Sequence, residues 1–449
     1  MIFVRKQILG SLCGLLAVCA PMDAGAAHAL PWEVFLGGLR RSATPKDSLD
    51  PIEQDAQESA PLNLRLLDQK APRSRTGTHP WTLHYWALKD GLIAARYLDS
   101  SFNFRSSFSA RRAYVENKPL RSVVEGFSWS RRKALDKLSP SEKYDLLVGD
   151  LAGTLTESIW KLGERYERSG GIAAWAGICD GSAAASALLP EPVSDLVVRD
   201  PIFGHEFTLF ASDIKALASL HFSEFLIKTP IVGGRCESPS PGLPVPGTSP
   251  SCESINPGSW HRAVLFLNGM KQRPIFIDTS PHAEVWNTPV VSYQFDYFDV
   301  RTGMAASNLD QAVVRVAEFK NDPRSLKRAP GTQGVVGVRM TITTATGYAT
   351  SLNGAHPAQL QKRLYTYELE IDSHLNILGG EWLGDERPDF AWTLAPGRFP
   401  KSQADELLNS PKWESDVVPG DWRPAIVSAS SKAQTMGAII RRLVDESSR

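Results

Sequence analysis

Three residues stand in settings that suit nucleophilic chemistry: Cys179, His261 and Asp278. Gly177 and Gly181 bracket the cysteine, an Ala-rich stretch favouring helix follows, and Pro190 stops it. Cys179 therefore falls at a helix start, where backbone N–H groups and the positive dipole end favour a thiolate. The alternative is a small buried cysteine packed beneath that helix. Asp180 weighs against a low thiol pKa, because an adjacent carboxylate raises it unless turned away or paired. His261, in NPGSWHRAVL, reads as a histidine entering a strand after a turn, either a general base or a satisfied edge residue. Asp278 ends the apolar run PIFID. It can orient an imidazole through Nδ1–H, or simply cap a turn.

The elements around them decide whether they can meet. HRAVLFL and PIFIDT read as two strands joined around Asn268-Gly269-Met270. With Gly269-Met270 as a two-residue turn, His261 lies directly across from Asp278. With Asn268-Gly269 the two become diagonal neighbours. Opposed residues lie ~5 Å apart at Cβ and diagonal ones ~7–8 Å, on one face in both registers.

Upstream the pattern is helical. Ser139 caps a helix through PSEKYDLLVGD, with Pro140 in the first turn and Glu142 completing a capping box. A second helix spans about Thr154 to Ser169, capped by Thr154 and ended by Gly170-Gly171. Downstream, strands are expected at VVGVRMTITTAT and RLYTYELEID, the latter turning through Asp372–Asn376 into ILGGEWL. A terminal helix is expected from about Ala433 to Val444. Helices first and strands afterwards make an α+β architecture.

The net charge of zero gives no electrostatic footprint for nucleic acid or an anionic membrane. Arg5 and Lys6, the apolar run Ile8–Ala20 and the small residues after it make residues 1–26 a signal peptide. The run is shorter than the ~20 residues that span a bilayer. The mature chain is expected to have no transmembrane segment and to be exported, periplasmic or secreted. Of the five cysteines, Cys13 and Cys19 leave with the signal. Cys236 and Cys252 flank a Pro/Ser/Gly-rich loop that a disulfide would staple, worth ~3 kcal/mol. Cys179 is then the unpaired thiol. Residues 27–79 read as a linker or pro-segment, 80–325 as the catalytic core, and 326–449 as a β-rich portion with the terminal helix. The histidines are scattered and no cluster has ligand spacing, so no metal or other cofactor is expected. A calcium requirement is left open.

WAGICDGSAAAS, NPGSWHRAVL and FIDTSPHAEVWNTPVVSYQFDYFD resemble, in order, the Cys, His and Asp segments of the transglutaminase-elicitor family, within the wider transglutaminase and papain-like superfamily. PSEKYDLLVGD, YTYELEIDSHLNILGGEWL and RPDFAW extend the resemblance from about Pro80 to Trp392. It implies a papain-like, transglutaminase-like core with a triad of Cys179, His261 and Asp278. The thiolate would attack a glutamine side-chain amide, releasing ammonia. The thioester would pass to a lysine or other primary amine, or to water, so the partners are proteins or peptides with accessible Gln and Lys. One departure stands out: Ser182 occupies a place where the family pattern has Trp. The aromatic wall of the substrate slot would then be missing, or come from Trp175, Trp260 or Trp286. A cysteine peptidase or amidase with the same triad, and a catalytically inactive secreted recognition module, are the competing readings.

Overall fold

The computed structural model describes residues 48–77, 79–81, 84–126, 131–223, 229, 231–234, 254–280, 284–346, 359–394, 399–406, 408, 413 and 417–449. The signal peptide, Cys236 and Cys252 lie outside the described residues.

A helical layer carries the cysteine. Ser139 Oγ accepts from Glu142 N–H and the Glu142 carboxylate accepts from Ser139 N–H, so the capping box forms at the start of the Pro140–Leu147 helix. The next helix, Thr154–Arg168, is capped differently from expectation. Its N-cap is Gly153 at φ 69°, and Thr154 does not cap it. Asp145 and Asp150 accept the first N–H groups instead, Asp145 from Leu155 and Thr156 and Asp150 from Thr154. Lys143 Nζ lies 2.6 Å from Asp213 Oδ2, both side chains fully buried, and Tyr97 Oη donates to the same carboxylate at 2.8 Å. This pair ties the Pro140–Leu147 helix to the Ala211–Ser223 helix, which packs along the cysteine helix, Cys179–Leu188.

The strands are β1 (Ser74–Thr76), β2 (Leu196–Arg199), β3 (Glu206–Leu209), β4 (Ile231–Gly233), β5 (Ile275–Asp278), β6 (Asn287–Phe298), β7 (Ala305–Ala306), β8 (Val313–Arg315), β9 (Gly334–Thr346), β10 (Gln359–Ile371), β11 (Ile377–Trp382) and β12 (Phe390–Thr393). One sheet runs β11-β10-β9-β6-β5-β12-β4, with β1 and β7 on β6 and β8 on β9. The strands after residue 326 thus share the sheet that carries Asp278. The β10–β11 hairpin forms as read, with a shift between Glu370 and Ile371. The terminal helix begins slightly later, at Gly437–Ser447. Residues 48–76 are more than a linker. Helices Asp50–Ala56 and Leu64–Lys70 bury Ile52, Leu64 and Leu67, and β1 pairs with β6. Leu64 and Leu67, three residues apart on one helix, and Ile52 on the other outweigh the polar composition that suggested a linker.

HRAVLFL is not a strand. Pro257–Val264 is an α-helix, continued as a π-turn through Leu265–Met270. Asn256 Oδ1 accepts from Gly258 N–H and Pro257 fills the first helical position. Asn-Pro is thus a cap followed by the residue best suited to a helix's first turn. A short apolar run alone does not separate a buried helix from a buried strand. The expected His261–Asp278 hairpin therefore does not form, and His261 is not on the antiparallel sheet. β5 pairs instead with β6, Asp278 opposite Asn287, and with β12, Ala391 opposite Ile277.

Alternation along β5 sorts the interior into two cores. Phe276 packs in the core of the helical layer with Ile178, Ala183 and Trp392. Ile275 and Ile277 pack in the other, with Trp260, Phe295 and Tyr367. Asp278, two residues from Phe276, shares the helical-layer face.

Candidate functional site

Cys179 is the first residue of its helix and half-buried. Both glycines around it are required by close approach. A Cβ on Gly177 would sit 2.3 Å from the Tyr85 carbonyl oxygen, and one on Gly181 would sit 2.0 Å from that of Ser219. The segment 84–86 is pinned further: Ile178 N–H donates to Tyr85 O at 2.8 Å and Ser182 Oγ donates to His84 O at 2.5 Å. Ser182 is almost fully buried, so the residue standing in place of the expected Trp fastens the cysteine turn to its neighbour and leaves no room for an indole.

The sulfur makes hydrogen bonds to the loop and strand beside it. Cys179 Sγ donates to Val285 O at 3.7 Å, and Asn287 Nδ2 donates to Sγ at 3.8 Å. Asn287 Oδ1 in turn accepts from Trp392 Nε1 at 2.8 Å. Asp278 is buried on the same face, its Oδ1 accepting from the Trp286 and Ser280 N–H groups at 2.8 and 3.1 Å. Burial first, then the Asp180 charge, pushes the thiol up to about 12. The Asn287 backbone N–H, then its side-chain amide, oppose that rise, and Asp278 adds to it. Asp180 is itself pushed up to about 6 by burial, against hydrogen bonds from Gly181 N–H and Ser223 Oγ. The resting cysteine is therefore a thiol at neutral pH.

His261 sits elsewhere. Its Nδ1 lies 2.8 Å from Tyr367 Oη and its ring meets Phe295 edge-on at 5.2 Å, both in the core across the sheet from Cys179. Nε2 is buried without a hydrogen-bond partner. Burial alone lowers the ring to about 3, with no carboxylate acting on it. The fold thus brings Cys179 and Asp278 to one face and leaves His261 on the other. Of the three tryptophans, Trp260 is fully buried beside Tyr365, also across the sheet. Trp286 is half-buried, its ring 5.3 Å from that of Tyr85, and Trp175 packs partly against the helical-layer core. Tyr85, Asn287 and Ser223 were missed by sequence reasoning. Only Asn287 carried a signal, as the first polar residue after the Trp286 indole in the segment following Asp278. Among the described residues, no group of three or more His, Cys, Asp or Glu side chains is placed to hold a metal.

Asp180→Asn keeps an acceptor for Ser223 and removes the charge beside the thiol. Iodoacetamide should then alkylate Cys179 about threefold faster at pH 8, as expected for a fall of about one pKa unit. Stability responds to the same charge. The folded carboxyl titrates near 6 against 3.8 in the reference state, so the native protein holds the extra proton between those values. Asp180's contribution is most favourable below pH 3.8 and is lost as pH rises through 6, leaving a cost on the order of 3 kcal/mol. Asp180→Asn should melt higher than wild type at pH 8, with the gap closed by pH 4. Equal melting at both pH values would show that the carboxylate is not strained.

The profile described as Transglutaminase elicitor matches residues 52–405, so the chain belongs to the transglutaminase elicitor family. The fold is similar to that in the crystal structure of the GP42 transglutaminase from Phytophthora sojae. The match has a TM-score of 0.52 and 16% identity, covering 91% of this chain and 99% of that one. No curated protein matches the chain.

Proposed function

We propose that the protein is an exported transglutaminase-type acyltransferase with Cys179 as its nucleophile. The observation that carries this reading is the setting of the sulfur. It opens a helix, faces the Asn287 amide, and shares a face with the buried carboxylate of Asp278. Family membership and the GP42-like fold support the same chemistry. Protein or peptide glutamine donors and primary-amine acceptors are the proposed substrates. Of the expected triad Cys179, His261 and Asp278, Cys179 and Asp278 are retained, and the bond of His261 to Tyr367 argues against its direct contact with the sulfur. Proton removal from a thiol lifted this far requires a rearrangement on substrate binding, or a base other than the His261 ring as it stands. Export rests on the signal-like N-terminus. Among the described residues, no helix is long and apolar enough to cross a membrane.

Ammonia release from a glutamine-containing protein, measured with and without a dansylated primary amine, tests the reading. Ammonia release with the amine covalently incorporated is the expected result. Ammonia without incorporation would make the protein a thiol amidase, and neither product would leave a recognition module.

A further inference from the structure

Resting on that reading of Cys179, we propose that Asn287 is a catalytic residue, donating its side-chain amide to the sulfur, and that Trp392 is the positioning residue that fixes the amide's orientation. An indole N–H can only donate, so the Asn287 atom 2.8 Å from Trp392 Nε1 must be the oxygen. That leaves Nδ2 facing Sγ, at 3.8 Å. The usual ambiguity of an amide's two ends is removed by its neighbour. Trp392 is itself held by packing. It is fully buried, and its ring stacks on Phe276 at 4.2 Å with the planes 25° apart. Phe276 and Trp392 are register partners on β5 and β12, and Asn287 pairs with Asp278 on the other side of β5. Three adjacent strands therefore supply, in order, the donor to the sulfur, the carboxylate and the anchor of the donor. Asn287 is almost fully buried, so its amide makes its hydrogen bonds inside the protein, accepting from Trp392 Nε1 and donating to Sγ.

The groups around the sulfur act in opposite directions. Val285 O accepts the S–H proton and so favours the thiol. Asn287 donates to the sulfur from its backbone N–H and from Nδ2–H, and both favour the thiolate; the side-chain share is the one a substitution removes. In the reaction, Sγ forms a bond to the glutamine side-chain carbonyl carbon and the carbonyl π pair moves onto oxygen. When that pair returns, the C–N bond breaks and the nitrogen leaves as ammonia carrying the thiol proton. Asn287 acts at the first stage, lowering the cost of parting sulfur from that proton.

The test is the rate of iodoacetamide alkylation of Cys179 at pH 8.5 in full-length wild type, Asn287→Ala, Asn287→Asp and Trp392→Phe, with melting temperatures recorded alongside. Each pKa unit gained by the thiol slows alkylation about threefold, since higher basicity returns part of the loss as nucleophilicity. Asn287→Ala and Trp392→Phe should alkylate about threefold more slowly than wild type. Asn287→Asp keeps an acceptor for Trp392 and replaces the donor by a charge, so about tenfold is expected. A merely structural pair predicts the opposite sign, because a loosened site exposes the sulfur. Alkylation of a folded Asn287→Asp protein at or above the wild-type rate would overturn the proposal. Alkylation needs no acyl donor, so the two ideas fail separately. Slowed alkylation in a protein that never incorporates amine supports Asn287's action on the sulfur while ending the transferase reading.

Discussion

Cys179→Ala should reduce amine incorporation to below about a thousandth of wild type, with the melting temperature nearly unchanged. The half-buried side chain loses its contacts to Val285 O and Asn287, those to Val285 O and Asn287 Nδ2 both long, so a stability change within about 1 kcal/mol is expected. His261→Phe provides the contrast. If the imidazole were the base in its present place, its loss would match that of the thiol. Its position across β5, bonded to Tyr367, gives a different expectation. Tyr367 Oη would be left with Met340 Sδ at 3.9 Å, at a cost of about 1–3 kcal/mol. Incorporation should then fall no further than the fraction of protein unfolded. A thousandfold loss in a well-folded His261→Phe protein would place the ring at the sulfur during turnover and require the sheet-side core to open. Intact activity in Cys179→Ala would end the nucleophile assignment outright.

How much of this was legible in the residues follows from the range of the forces involved. The capping box at Ser139, the helix beginning at Cys179 and the β10–β11 hairpin depend on residues within a few positions of each other, and they appear as read. Asp278 at the end of a buried strand was legible for the same reason. The hairpin that would have joined His261 to Asp278 failed on a local signal that was present. Asn256-Pro257 is a helix start, and it was read as a turn before a strand. Once that segment becomes helix, the parity that put the two side chains on one face no longer applies. The His261 helix packs against β10 and β11, far along the chain. The partnership of Asn287 with Trp392, 105 residues apart, was illegible because it needs β6, β5 and β12 to be neighbours. Ser182 shows the converse. It departs from the family pattern in sequence and turns out to donate to the His84 carbonyl that pins the cysteine turn.

The same close packing makes Gly181→Ala the most damaging small substitution expected near the site. The added methyl would meet Ser219 O at 2.0 Å, Ser223 N at 2.6 Å and Ser223 Cβ at 2.7 Å. The first two are backbone atoms of the Ala211–Ser223 helix and cannot rotate away. The two helices must part, and the neighbouring bond from Ser223 Oγ to Asp180 stretches or breaks with them. Overpacking of this kind costs about 1–3 kcal/mol and occasionally more, and with that bond lost about 3 kcal/mol is expected. The chemical consequence should exceed the thermodynamic one. Moving the helix start by about 1 Å takes Sγ out of reach of Asn287 Nδ2, already at 3.8 Å, and displacements of that size cost about a hundredfold in rate. Gly420→Ala is the control, because a methyl there meets nothing within 4 Å; stability within about 0.5 kcal/mol of wild type is expected. Urea unfolding and amine incorporation on the two variants separate the effects. A Gly181→Ala protein as stable and active as Gly420→Ala would mean that the cysteine helix slides freely on its neighbour, and that the position of the sulfur is set from the sheet alone.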